Sequence, residues 1–240
     1  MNKFHSDKLE NYFENTMNAF KLASDWGFWG IEFDLRMTAD DKIIIHHDPH
    51  LKKNPDNLFE NLTYEKAQAI CKPSFSIPLF SDLLNMDLQL ILFPELKSVQ
   101  NSEKYLDLIA IILREKFDRE TGSQSFDGKM IKFLSFNHDY LIRLKKKLAN
   151  FRITNIEFLW IARFFRYQDI RRAGDSGLDG VTGHHLLADK KRIKYLKNLG
   201  LKSGFGIINS RKNMNRIQNY QTDYYFTDNY KLISKRDENQ

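Results

Sequence analysis

From Leu88 to the end of the chain the hydrophobic period switches repeatedly between alternation and helical spacing. That rhythm limits the fold more than any single motif. "LQLILFPELK" reads as a strand and "SEKYLDLIAIILREKF" as a long amphipathic helix. "KMIKFLSF" is followed by "HDYLIRLKKKLA", "IEFLWIA" by "FRYQDIRRAG", "LDGVTG" by "DKKRIKYLKNLG", and "KSGFGIIN" by "RKNMNRIQNY". Upstream, "NTMNAFKLASDW" keeps helical spacing up to Gly27, "WGIEFDLR" alternates, and "KIIIH" forms a second strand after a turn at Asp40 and Asp41. Thr63 suits the N-cap of a short helix, and Pro78 suits the first turn of another. With a brief first strand at Lys3 and Phe4, and "DYYFTD" closing before a short tail helix, the pattern gives about eight strand–helix units. The expected fold is therefore α/β, a closed parallel (β/α)8 TIM-type barrel in one domain over residues 1–240. Residues Lys52 to Ser76 are the least regular and predict a small excursion after the second strand. An open doubly wound sheet is disfavoured, because no Gly-rich nucleotide fingerprint follows the first strand.

Within that pattern the alternating strands carry acids. Residues two apart in a strand share a face, so Glu32, Asp34 and Arg36 point one way while Phe33 and Leu35 point the other. Glu95 and Lys97 repeat the device two strands later. At the C-terminal ends of barrel strands, Glu32, Asp34 and Glu95 would converge and repel one another unless a hard divalent cation lay between them. All-oxygen ligands suit Mg²⁺ or Ca²⁺, and one such ion is expected. Zinc is disfavoured, since Cys71 stands alone and no helix carries a His-rich ligand spacing. A lone E-x-D is an ordinary solvated strand end. His47-Asp48 shortly after it, and Glu95-x-Lys97 further on, change that reading.

These residues resemble the glycerophosphodiester phosphodiesterases. The pattern E-x-D-x-x-x-T-x-D from Glu32, then H-D-x-x-L from His47, then E-x-K from Glu95, is similar to that family's. His5 stands ahead of Glu14-Asn15-Thr16 at the family's spacing, and "SFNHDYL" and "YFTDNY" resemble later family segments. The resemblance covers essentially the whole chain. It implies a barrel that hydrolyses small-molecule glycerophosphodiesters to an alcohol and sn-glycerol 3-phosphate. It also implies metal ligation by Glu32, Asp34 and Glu95, general acid–base catalysis by His5 and His47, and a phosphate contact from Lys97. Where the family's H-R-G triplet has Arg and Gly, this chain has Ser6 and Asp7, and Arg36 is the nearest candidate to replace the missing charge. The glycine of the T-x-D-G turn is Asp41, and a family Trp is Gly206 with Asn209 kept. Pro94 beside Glu95 calls for a bulge or an early strand end. Two other readings stand beside this one. A lysophospholipase D would make the same cut on an acylated substrate, using apolar surface at Leu58, Phe59 and Phe75. A phosphate-ligand binding protein would have kept the barrel and lost turnover.

The remaining signals are plainer. Lys and Arg exceed Asp and Glu by 37 to 31, and the basic residues are spread along the chain, so no nucleic-acid partner is expected. The longest aliphatic run, Leu108 to Leu113, is too short for a membrane span, and no signal-like segment opens the chain; a cytoplasmic protein is expected. A homo-oligomer is compatible with the sequence. His46 should point away from His47, His50 reads as a loop residue, and His138 should open a helix capped by Asn137. For His184 and His185 both a loop role and a substrate contact are open. Trp26, Trp29 and Trp160 read as packing, and either Tyr224 or Tyr225 is placed to line the pocket mouth.

Overall fold

A strand whose two faces are both apolar or paired can sit in the middle of a sheet, and "GIEFDLRM" is such a strand. The computed structural model describes residues 14–51, 54–71, 75–119 and 130–232. Helix α1 (Met17–Asp25) is capped by Thr16, whose hydroxyl accepts from the Ala19 amide, and leads into β1 (Gly30–Met37). β2 (Ile43–Ile45) folds back antiparallel on β1, Leu35 opposite Ile45. The turn between them places Asp41 at φ 65°, a left-handed position where glycine is the usual occupant and Asp is tolerated. Then come β3 (His50–Leu51), β4 (Asn54–Leu58), α2 (Tyr64–Cys71) and α3 (Phe80–Leu84).

After this the strand–helix rhythm is regular: β5 (Ile91–Leu96), α4 (Ser102–Arg119), β6 (Lys132–Ser135), α5 (His138–Asn150), β7 (Glu157–Ile161), α6 (Tyr167–Asp175), β8 (Gly180–His184), α7 (Lys190–Asn198), β9 (Lys202–Gly206), α8 (Arg211–Gln218) and β10 (Tyr224–Tyr225). One curled, eight-stranded sheet results, in the order β10-β9-β8-β7-β6-β5-β1-β2. All its pairs are parallel except β1 with β2. "KIIIH" is thus the back half of a hairpin and not a parallel barrel strand. The described strands form a half-barrel, and the strand expected at Lys3 and Phe4 lies outside the described residues, as does the tail beyond Leu232.

Outward-facing residues pack the helices on the sheet. Phe33 on β1 meets Phe20 of α1 and Phe80 of α3 with ring centroids 5.6 and 6.1 Å apart, within the main buried core. Inward-facing Phe93, Leu134, Leu159, Tyr224 and Phe226 form a separate interior cluster. Between β2 and α3, Leu51, Phe59, Ala67, Cys71 and Ile77 bury a third small cluster over Ile44. Phe59 is thus core, and it offers no surface to an acyl chain. Pro94 causes neither a bulge nor an early end: β5 runs through it to Leu96 in register with β1. The Ile91 and Lys97 amides donate towards β1, so the amide that Pro94 lacks falls on the β6 side. There the pairing thins to Glu95 with Leu134 and one isolated bridge, Leu92 with Ile131. Among the described residues no helix is long and apolar enough to cross a membrane.

At the N-terminal ends of the strands the interior is closed by charge. Glu157 pairs with Lys132 at 3.0 Å and with Lys202, and accepts from the Tyr224 hydroxyl at 2.9 Å. Tyr224 therefore faces this inner end and not the pocket mouth. Removing the shared acid takes a carboxylate from two lysines and a tyrosine hydroxyl at once. Glu157→Ala should cost about 2–4 kcal/mol in chemical denaturation, and a loss within error of zero would show that the cluster is not a structural plug.

Candidate active site

The site is built where strand ends bring acids onto one interior face. Register sets Asp34 opposite Glu95 across the β1–β5 pair, with Glu32 two residues earlier on the same side. One carboxylate oxygen from each of Glu32, Asp34 and Glu95 lies within 4.8 Å of the others, and all three residues are buried. Lys97 reaches back to Glu95 Oε1 at 2.6 Å and makes an ion pair with Asp34 Oδ1 at 2.9 Å. Asn15, itself at φ 59°, grips Asp34 from the other side: its amide donates to Oδ2 at 3.0 Å, and its Oδ1 accepts from the Asp34 backbone at 3.2 Å.

Three acids against one lysine leave a deficit of positive charge, and the titration of each group reflects it. Burial, and then the Asp34 and Glu95 charges, push Glu32 well above the usual carboxylate range. Burial also raises Glu95, against the pull of Lys97. For Asp34, burial is outweighed by Lys97 and the Asn15 hydrogen bond, and the group sits below its ordinary value. Burial would lower Lys97, but Asp34 and Glu95 together hold it above the usual lysine range. Among the described residues none donates a hydrogen bond to the Glu32 carboxylate. A cluster of hard oxygen donors with too few fixed cations fits a divalent ion such as Mg²⁺ or Ca²⁺.

His47 follows the β2 strand and lines the same cavity as Glu32, Glu95 and Lys97, a space of about 420 Å³. Its Nδ1 lies 2.8 Å from Asp48 Oδ1. A carboxylate there favours the tautomer with the proton on Nδ1, which leaves Nε2 able to take one. His46 turns away, its ring 4.8 Å from Phe59 and its Nδ1 on the Asp48 carbonyl at 3.0 Å. Arg36 is buried beside the triad, but its donors are committed elsewhere. Nε and Nη2 donate to the His47 carbonyl at 2.9 and 2.7 Å, and Nη1 to the Ser98 carbonyl at 3.4 Å. The guanidinium ties the His47 segment to the end of β5 through three of its five N–H groups. His5, Ser6 and Asp7 lie outside the described residues.

The far wall of the cavity is apolar, made by Leu134, Phe136, Ile161, Ala162, Ile207 and Phe226, with Arg163 and His184 at its edge. Gly206 has no room for a side chain, because a Cβ there would come within 2.7 Å of Phe226 Cβ. Phe226 occupies the space a Trp would need. His185, by contrast, is buried against Asn213 and Arg216. Asn15, Asp48 and the apolar wall carried no explicit sequence assignment. The E-N-T and H-D motifs marked the first two as present without showing what they touch.

Comparison with known proteins follows the same line. A family model described as the glycerophosphoryl diester phosphodiesterase family matches residues 5–232. A Bacillus altitudinis protein called glycerophosphodiester phosphodiesterase is 40% identical over 60 residues, which span 24% of this chain and 24% of that one. The match thus spans about a quarter of the curated relative. Two solved structures share the fold over most of their length. An Oleispira antarctica phosphodiesterase in complex with the product sn-glycerol-3-phosphate gives a TM-score of 0.73 at 19% identity, covering 92% of this chain and 90% of that one. A glycerophosphodiester phosphodiesterase from Parabacteroides distasonis gives 0.74 at 19% identity, covering 95% and 90%.

The charge deficit has a measurable sign. A group whose pKa rises on folding stabilises the fold below its unfolded pKa, and that contribution is lost as pH rises through the folded value. Glu32 therefore predicts that cation-free protein loses thermal stability as pH climbs above the ordinary carboxylate range. Asp34 acts oppositely, but only on the acid side of that range. Saturating Mg²⁺ or Ca²⁺ should restore more Tm the higher the pH, because cation and proton compete for Glu32. Melting curves in EDTA and in cation across a pH series check this, and a cation effect that is absent or flat with pH would count against the triad as a metal site.

Proposed function

The chain belongs to the glycerophosphoryl diester phosphodiesterase family, and on that premise we propose that it hydrolyses glycerophosphodiesters to an alcohol and sn-glycerol 3-phosphate in a reaction dependent on a divalent cation. The observation that carries the reading is the buried Glu32–Asp34–Glu95 cluster sharing one cavity with His47 and Lys97. Held by the three carboxylates, Mg²⁺ or Ca²⁺ would offset the charge of the phosphodiester oxygens and of the charge that builds on them.

The chain's own residues do the rest. Lys97, kept charged by its two acid partners, faces the cavity as a point charge for a phosphate oxygen. His47, oriented by Asp48, is one of an acid–base pair with His5. One imidazole takes a proton from the attacking water as its oxygen bonds to phosphorus. The other gives a proton to the alkoxide as the phosphorus–oxygen bond to the alcohol breaks. Arg36 acts at one remove, holding the His47 backbone in place.

Release of glycerol 3-phosphate from glycerophosphocholine and glycerophosphoethanolamine tests the proposal. EDTA should abolish it, and added Mg²⁺ or Ca²⁺ should restore it. His47→Ala should lower kcat by about 10²–10⁴-fold with little change in Tm, since His47 is half-exposed at the cavity. Full turnover in EDTA would remove the metal from the reaction, and a His47→Ala variant with unchanged kcat would remove the histidine. Arg36→Ala should lower kcat more than it raises KM, whereas Lys97→Ala should raise KM. A purely KM effect of Arg36→Ala would instead return it to direct phosphate binding.

A further inference from the structure

The cavity's apolar wall does not end at its lip. Phe136, which forms part of that wall, is 52% exposed, and beyond it Phe164 is 60% and Leu186 66% exposed. These side chains come from the loops after β6, β7 and β8, neighbouring strands whose ends open on the same side. The loops are held together: Arg192 Nη1 donates to the Phe165 carbonyl at 3.1 Å, and a Cβ on Gly183 would meet the Ala162 carbonyl at 3.3 Å. Exposed aromatic and aliphatic side chains gathered at the mouth of a cavity are an unusual surface for a protein that meets only water there.

Their surroundings are basic. Arg163, Arg166, Lys190 and Lys191 are exposed on the same two loops and the helix starts that follow them. The Arg166 guanidinium lies over the Phe164 ring at 5.2 Å. The acids of these two loops are already engaged: Asp169 pairs with Arg166, and Asp189 caps α7 by accepting from the Lys191 and Arg192 amides. The first turns of α6 and α7 add their positive dipole ends on this side.

We propose that this rim docks the barrel mouth onto an anionic phospholipid surface, with Phe164 and Leu186 entering the headgroup boundary and Arg163, Lys190 and Lys191 meeting lipid phosphates. The proposal goes beyond hydrolysis of soluble diesters, and its test does not depend on turnover. Vesicles of phosphatidylcholine alone, and of phosphatidylcholine with one part in four phosphatidylglycerol, are sedimented with the full chain. Wild type should pellet with the anionic vesicles, less so as salt rises, and remain in solution with the neutral ones. Phe164→Ser with Leu186→Ser should weaken the partition by about tenfold. Lys190→Glu with Lys191→Glu should remove the preference for phosphatidylglycerol, and acids in a first helical turn leave α7 intact. Hydrolysis of glycerophosphocholine should be unchanged in the Phe164/Leu186 variant, which shows that it is folded. Wild type left in the supernatant with every vesicle overturns the proposal, as does equal binding by both variants. A wild-type dimer that becomes a monomer in the Phe164/Leu186 variant would assign the rim to a second copy of the chain, and would overturn it too.

Discussion

Everything at the C-terminal end of the sheet is arranged around mutual repulsion among three buried carboxylates. Two like charges about 4 Å apart cost about 4 kcal/mol at an effective dielectric near 20, and Glu32, Asp34 and Glu95 crowd their oxygens within 4.8 Å. One lysine cannot balance them. The chain compensates in the ways open to it: burial and its neighbours push Glu32 well above the usual carboxylate range, Asp34 accepts a hydrogen bond from the Asn15 amide and makes an ion pair with Lys97, and Glu95 shares that lysine. The rigidity of the cluster comes from β1 and β5, the most continuous parallel pair in the sheet.

That rigidity passes outward through backbone atoms. The Tyr105 hydroxyl donates to the Leu35 carbonyl and the Ser135 hydroxyl to the Leu96 carbonyl, each at 2.8 Å, so the ends of β1 and β5 are held by side chains from their neighbours. Arg36 extends the hold to the His47 segment. The imidazole sits on a loop, yet the carbonyl of its own residue is tied to the strand that carries two of the three acids. Loop-borne chemistry positioned by a stiff scaffold is the general solution for sites at strand ends.

Much of this was legible in the chain because strand alternation is a local property. Glu32, Asp34 and Arg36 had to share a face, Asn137 had to cap α5, and the helices after Leu88 announce themselves by spacing alone. What was not legible depended on partners far away in sequence. Arg36 looked like a free cation beside the acids, and only the fold reveals that the His47 carbonyl, eleven residues on, takes its fork. "KIIIH" looked like any other strand, since direction is not written in its residues; the tight turn at Asp41 made it antiparallel. Phe59 looked available for a lipid tail, and proved to be the centre of a small core with Cys71 and Ile77. The apolar cavity wall gathers residues from four strand ends, none of which has a motif of its own.

The two ends of the same interior make an instructive pair. Both place charged side chains on inward-facing strand positions, where isolated charges are costly. At the N-terminal ends, one acid, Glu157, meets Lys132, Lys202 and a tyrosine hydroxyl, and each of its carboxylate oxygens meets a donor. At the C-terminal ends, three acids meet one lysine, and the cluster opens onto a cavity of about 420 Å³ with an imidazole on its rim. Burial alone does not separate structure from function in this molecule, because each cluster contains buried charge, Lys132 in one and the three acids in the other. The sign of the excess does: one acid held by two lysines and a tyrosine hydroxyl ties strands together, whereas three acids beside one lysine and an open space leave the excess negative charge on which the proposed cation site rests.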